Sequence, residues 1–170
     1  MKEARPTSGL VLQALFNILG PVSGRSFLDL FAGSGRVGIE ASARGFSPVA
    51  FVEISGKNTN AIISRIHING REVLRMDVRR SLALFAARSV RFDVIFADPP
   101  YENGWLERMA SLSGRLSGIM DRKGIFVLEH TRRETLEPSL WNGWEISSKT
   151  YGETVLSFFH RDPGGEGESA

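Results

Sequence analysis

Residues 27–35, Phe-Leu-Asp-Leu-Phe-Ala-Gly-Ser-Gly, constrain this chain more than any other stretch. An apolar run broken only by Asp29 enters a glycine turn, Gly33-Ser34-Gly35. A helix-forming segment follows through residue 44 and is stopped by Gly45. Glycines permit a sharp turn and close backbone approach, and a helix beginning there presents N–H groups without intrahelical partners. Strand, glycine turn and helix in that order predict a cradle for a nucleotide-type ligand at the carboxyl edge of a sheet. Gly33, Gly35 and Gly38 also satisfy G-x-G-x-x-G, a pattern too permissive to choose between cofactors.

The rest of the chain alternates in the same way. Leu12, Leu15, Phe16 and Leu19 form the stripe of a helix over 8–19, ended by Gly20-Pro21. Strands are expected at 26–31, 49–52, 73–76, 92–97 and 124–129. Helices are expected at 36–44, 58–68, 81–87 and 105–116, with Ile62, Ile63 and Ile66 on the apolar side of the second. Residues 134–140 form at most a brief helix, because Pro138 interrupts them. Segments 144–151 and 154–160 alternate around Gly152-Glu153 as a hairpin. This order predicts an α/β chain with a mostly parallel sheet of about seven strands, helices on both faces and an antiparallel C-terminal hairpin. NAD-type folds usually finish parallel. The hairpin therefore points to the Rossmann-like, seven-stranded fold of S-adenosylmethionine-dependent methyltransferases. Residues 1–161 read as a single domain and 162–170 as a disordered, glycine-rich tail.

Composition narrows the setting. The chain has 170 residues and no cysteine, which excludes disulfides and thiolate metal sites and suits the cytoplasm. His67, His130 and His160 lack metal-ligand spacing, so no metal is expected. No apolar run approaches a membrane span, and residues 1–9 lack the apolar core of a secretion signal. Net charge is only +2, but 17 of the 21 basic residues are arginine. Arginine forks onto phosphate and stacks on bases, which is compatible with a nucleic-acid partner.

Acids recur at the predicted strand ends. Glu53 follows Gly33 by 20 residues, the offset of an acid that accepts from ribose hydroxyls. Asp77, one strand further on, is placed to accept from an adenine amino group. Asp29 is placed to reach the amino-acid end of a cofactor or to brace the glycine turn. The most specific stretch is Asp98-Pro99-Pro100-Tyr101. Two prolines stiffen the turn and leave its carbonyls free to accept from elsewhere. The Asp98 carboxylate and the Pro99 carbonyl can accept both hydrogens of an amine attached to an aromatic ring, with the ring stacked on Tyr101. Such an amine is a weak nucleophile, so positioning and polarisation against a methyl sulfonium are what its methylation requires.

These residues resemble those of the RsmD-type methyltransferases, which modify the exocyclic N2 of a guanine in small-subunit rRNA. The resemblance runs from Arg5 to about Arg161. It rests on Arg5-Pro6-Thr7 before the Leu15-Phe16-Asn17 helix, on Leu28 to Gly35, on Gly38 to Gly45, on Val52-Glu53 and on Asp98 to Tyr101. It implies S-adenosylmethionine as methyl donor, held by Asp29, Phe31, Ala32, Gly33, Ser34, Gly35, Glu53, Ile54, Asp77, Val78 and Asp98. It implies 16S rRNA, or a small-subunit assembly particle, as partner of a monomeric enzyme. Arg5, Thr7, Arg36, Tyr101 and Arg132 are the expected substrate contacts, with Arg79-Arg80 as further basic residues near that edge. Family members usually carry a glycine-containing hairpin before Arg-Pro-Thr, where this chain has four residues, and basic side chains where it has Leu10 and Leu12. Both departures are expected to weaken binding to naked RNA and to spare the cofactor site. Trp105, Trp141 and Trp144 read as packing residues, and His130 as structural or part of the pocket rim.

Three other readings compete. Adenine N6 or a protein glutamine would use a similar proline turn, although a DNA enzyme would need a recognition insertion. An NAD-dependent oxidoreductase explains Gly33 to Gly38 and Glu53 but leaves Asp98 to Tyr101 without a role. A non-catalytic module could keep the cradle and bind S-adenosylmethionine or RNA.

Overall fold

The computed structural model describes residues 7–66, 70–101 and 103–163. Its strands form one seven-stranded sheet: β1 (Phe27–Asp29), β2 (Val49–Glu53), β3 (Arg71–Arg75), β4 (Phe92–Ala97), β5 (Met120–Thr131), β6 (Trp144–Tyr151) and β7 (Thr154–Arg161). The strand order is β3-β2-β1-β4-β5-β7-β6. The first five strands in space are parallel, and β7 and β6 close the sheet antiparallel. Helices α1 (Gly9–Leu19), α2 (Arg36–Ala43), α3 (Gly56–Arg65), α4 (Val78–Ala87), α5 (Trp105–Ser111) and α6 (Ser113–Gly118) cover its two faces. The chain reverses direction across the sheet between β1 and β4, the switch point where open α/β sheets bind ligands.

Two core layers follow from the period-two alternation of strand side chains. Phe27, Phe51, Phe96 and Val127 pack under α1, α2 and α3 with Leu15, Phe16, Val37 and Ile62. Leu28, Val52, Ile95, Ala97 and Leu128 pack on the opposite side with Leu82, Phe85, Met109 and Leu116. The aromatic residues near the chain's end also join that second layer. Trp141 stacks on Phe126 at 5.9 Å and meets Trp144 edge-on at 6.1 Å, so both indoles pack as expected.

Several element boundaries differ from the sequence reading. Strand β1 is shorter than 26–31, although Leu30 and Ala32 still donate their amides to Phe96 and Val52 as the chain turns. Helix α3 starts earlier, capped by the Ser55 hydroxyl, and its C-terminal cap is Ile66, short of residue 68. Ile62 is buried and Ile66 partly so, but Ile63 is exposed. Helix α4 begins at Val78 rather than 81, capped by Asp77. The expected helix 105–116 breaks at Leu112 into α5 and α6. Strand β5 begins at Met120, not 124, and a register shift lies between Phe92 and Val94 of its partner β4. Of residues 134–140 only a 3-10 turn, Pro138–Leu140, forms, and Pro138 opens it, where a missing N–H costs nothing. Asp162 remains tied to the body by its amide, which donates to the Gly143 carbonyl at 2.9 Å. The remainder of the expected tail, 164–170, lies outside the described residues, as do Arg5 and His67.

Candidate active site

Four carboxylates gather where four neighbouring parallel strands end: Glu53 on β2, Asp29 on β1, Asp98 after β4 and Glu129 on β5. Each lies two residues beyond a side chain of the layer under α1, α2 and α3, so all four share that face. The sequence reading assigns roles to the first three and none to Glu129. The signal is present: Glu129 follows the apolar run 125–128 just as Glu53 follows 49–52.

The glycine turn is held from beneath. Glu53 accepts the Gly33 amide at 2.7 Å and the Ser55 amide at 2.8 Å, one on each oxygen. Asp29 accepts the Gly38 amide on α2 at 3.1 Å, while its other oxygen is buried with no hydrogen-bond partner among the described residues. Gly33 takes φ +54° with open space in front of it, so a side chain there would both strain the backbone and enter the ligand's volume. Gly38 serves packing instead, since a Cβ would stand 2.3 Å from the Phe51 ring. An orphaned buried carboxylate oxygen beside an open glycine turn fits the ammonium group at the amino-acid end of S-adenosylmethionine. The residues present therefore fit this group.

The flanking positions are more varied. Ile54 is 68% exposed, next to Glu53. Ala32 is buried and closes the turn, its carbonyl accepting from Gly35 at 2.7 Å. The Ser34 carbonyl accepts from Arg65 at 3.0 Å. Phe31 meets Trp105 edge-on at 4.8 Å, which fixes the start of α5 against the turn. Asp77 caps α4, accepting the Arg80 amide at 3.1 Å, with its second oxygen available. Val78 opens α4, and its side chain is buried in the core.

On the acceptor side, Pro99 is buried, Asp98 and Tyr101 are partly buried, and Pro100 is exposed. Thr7 is buried, and its hydroxyl donates to Glu129 at 2.8 Å. The Tyr101 hydroxyl donates to the other Glu129 oxygen at a long 3.4 Å. Burial raises the Asp98 carboxyl well above the ordinary range, with Glu129 and Asp29 adding repulsion. Burial also raises Glu129, against the lowering influence of Thr7 and Tyr101. Asp29 is pushed up to about 7 by burial, opposed by its Gly38 bond and reinforced by Glu53 and Glu129. The Tyr101 phenol is raised by burial and by the neighbouring acids, so it stays neutral.

Of the expected substrate cations, Arg36 and Arg132 have protein partners. Arg36 donates to the Thr7 carbonyl, so it pins the entry to α1 over the site. Arg132 is exposed but pairs with Glu153 at 3.3 Å, as does Arg133. Leu10 is 69% exposed, where a basic side chain could meet RNA, but Leu12 is buried in the core and is no surface position. Arg79 and Arg80 are exposed on α4. His130 points away from the acids, bonded to Ser157 at 2.9 Å, and burial lowers its pKa. Among the described residues no cluster of ligating side chains could hold a metal ion, and no helix is long and apolar enough to cross a membrane.

Comparison with known proteins agrees with this layout. Residues 1–160 match the family described as Conserved hypothetical protein 95. YlbH of Bacillus subtilis, to which an rRNA methyltransferase activity is ascribed, is 33% identical over 164 residues, covering 94% of this chain and 89% of its own. Ribosomal RNA small subunit methyltransferase D of Escherichia coli K12 is 26% identical over 167 residues, covering 97% and 83%. A Thermus thermophilus protein of known structure, described only as hypothetical, superposes with a TM-score of 0.76 at 32% identity, covering 94% and 90%. The 16S rRNA guanine-N2 methyltransferase RsmC of Thermus thermophilus, solved with AdoMet and guanosine, superposes with a TM-score of 0.75 at 25% identity, over 94% of this chain and 44% of its own. The fold is thus that of S-adenosylmethionine-dependent methyltransferases. With a family model spanning nearly all of its length and a relative one-third identical along it, the chain belongs to the Conserved hypothetical protein 95 family of RsmD-type methyltransferases.

Proposed function

We propose that the chain methylates the exocyclic N2 of a guanine in small-subunit rRNA, using S-adenosylmethionine. The observation that carries this reading is the rigid Asp98-Pro99-Pro100-Tyr101 turn set one strand from the cradle of Asp29, Glu53 and Gly33. The names of the Escherichia coli relative and of the Thermus thermophilus RsmC neighbour support rRNA and guanine N2.

When bound, S-adenosylmethionine supplies an electrophilic methyl on a sulfonium. Glu53 retains lone pairs for the ribose hydroxyls beyond its two backbone bonds, and Ile54 offers the adenine an apolar face. The second oxygen of Asp77 is left for the adenine amino group. The unpartnered Asp29 oxygen takes the ammonium. Asp98 and the Pro99 carbonyl accept the two hydrogens of the target amine and turn its lone pair toward the methyl. Asp98, raised by its buried surroundings, is basic enough to accept the proton that the methylated amine sheds. Tyr101, a neutral phenol, flanks the base.

The test is methyl transfer from labelled donor to small-subunit rRNA and to assembly particles, followed by nucleoside analysis. N2-methylguanosine is expected, and Asp98→Ala should abolish it while S-adenosylhomocysteine affinity stays within a few-fold. Label in N6-methyladenosine, or none in RNA, would overturn the proposal.

A further inference from the structure

We propose that Glu129 is the residue that selects guanine: its carboxylate accepts the ring N1–H while Asp98 and the Pro99 carbonyl accept the adjacent amine. This inference rests on the function proposed above and adds a residue and a reason for the base. The parallel register of β4 and β5 runs through Ala97↔Leu128, so the next step sets Asp98 beside Glu129. The repulsion that Glu129 exerts on Asp98 agrees with this register in setting the two carboxylates close together.

Glu129 is 1% exposed, yet none of the ion pairs among the described residues includes it. Its charged and titratable neighbours are Asp98 and Asp29, both acids, and the Tyr101 phenol. Thr7 supplies one firm bond and Tyr101 a stretched one, against about four positions at which a carboxylate can accept. When ionised, this buried acid is short of donors. A ligand N–H beside the amine that Asp98 holds supplies one and favours the ionised form.

The chemistry of the bases then separates them. Guanine N2 is flanked by N1–H, a donor. Adenine N6 is flanked by N1 and cytosine N4 by N3, both lone pairs that a carboxylate repels. A glutamine amide carries no second N–H beside its NH2. Of these acceptors only guanine presents two adjacent donor groups to two adjacent carboxylates. A charge-assisted bond of this kind discriminates strongly, because the wrong ligand leaves a buried acid unpaired.

The experiment compares guanine, 1-methylguanine and 2-aminopurine at the methylated position of an rRNA fragment, with the wild-type protein and Glu129→Gln. 2-Aminopurine keeps the amine but has a lone pair at N1, and a glutamine amide can donate to it. The wild type should prefer guanine to either analogue by at least about 50-fold in kcat/KM. Glu129→Gln should shrink the guanine to 2-aminopurine ratio to below about 5-fold, with S-adenosylhomocysteine affinity unchanged by calorimetry. An unchanged ratio in a folded variant would overturn the role of Glu129 and leave guanine methylation standing. Should the variant not fold, the wild type decides alone: equal turnover of 1-methylguanine and guanine would overturn the proposal. Wild-type transfer to adenine would overturn both this inference and the function beneath it.

Discussion

Asp29 is placed at a cost to the fold. Its carboxyl sits at about 7, above the ordinary 3.8, so the folded state holds a proton that the unfolded chain has already lost. Its contribution to stability is fully present below that ordinary value and is lost as pH rises through about 7. Asp29→Asn keeps an oxygen for the Gly38 amide and cannot ionise. Without ligand, the variant's stability gain over wild type should grow from near zero at about pH 4 to on the order of 2–4 kcal/mol at about pH 8. Denaturant titrations across that range check this, and a gap independent of pH would mean that Asp29 titrates normally. The same variant should bind S-adenosylhomocysteine less well at every pH, since the orphaned oxygen is lost. Glu53→Gln should weaken that binding by about 1–3 kcal/mol, measured by calorimetry, because an amide cannot accept on both sides. Asp29, Glu53 and Asp98 were legible in the sequence because each ends an apolar run. What each one touches was not, since the donors to Glu53 and Asp29 come from backbone amides up to 20 residues away. Arg36 shows the same limit: the sequence set it at the turn, and only tertiary structure shows that it donates to the Thr7 carbonyl.

At the scale of elements, the glycine turn works only if α2 lies close on β2. Gly38 makes that approach possible, because any Cβ there meets the Phe51 ring at 2.3 Å. Gly38→Ala should therefore cost about 1–3 kcal/mol through overpacking, despite the higher helix propensity of alanine. Phe51→Leu added to it should recover part of the loss. Thermal melts of the single and double variants decide this, and a stabilised single variant would show that α2 can shift freely. Order and type of the elements were readable from periodicity and glycine stops. Their ends were not: caps such as Ser55 and Asp77 start helices before the apolar stripe begins. The break at Leu112 is marked only by Ser113-Gly114, inside an apolar stripe that runs on to Leu116. Glu129 carried the same strand-end signal and was given no role; β5 in fact continues two residues past it and pairs with β7 through Glu129↔Leu156.

Across the whole molecule, a net charge of +2 hides an uneven surface in which arginine supplies most of the positive charge. Arg132 and Arg133 share Glu153, whereas Arg79 and Arg80 stand exposed on α4. Replacing both of the latter with alanine should weaken rRNA binding and lower the slope of log affinity against log salt by about 1–2. Filter binding at several salt concentrations tests this, and an unchanged slope would place the RNA elsewhere.

The strand order has a consequence for how such a chain can evolve. Asp29, Glu53 and Asp77 all precede β4, and Asp98, Tyr101 and Glu129 all follow its start. Donor and acceptor chemistry are thus written in separate halves of the chain and joined along the β1–β4 seam, where Phe27↔Val94, Leu28↔Ile95 and Asp29↔Phe96 align. Recombination near residue 90 could exchange one acceptor preference for another and leave donor use intact, provided that the incoming strand fits this seam. Thr7 is the exception, reaching from the start of the chain to Glu129, so an inherited second half must also suit the hydroxyl that waits for it.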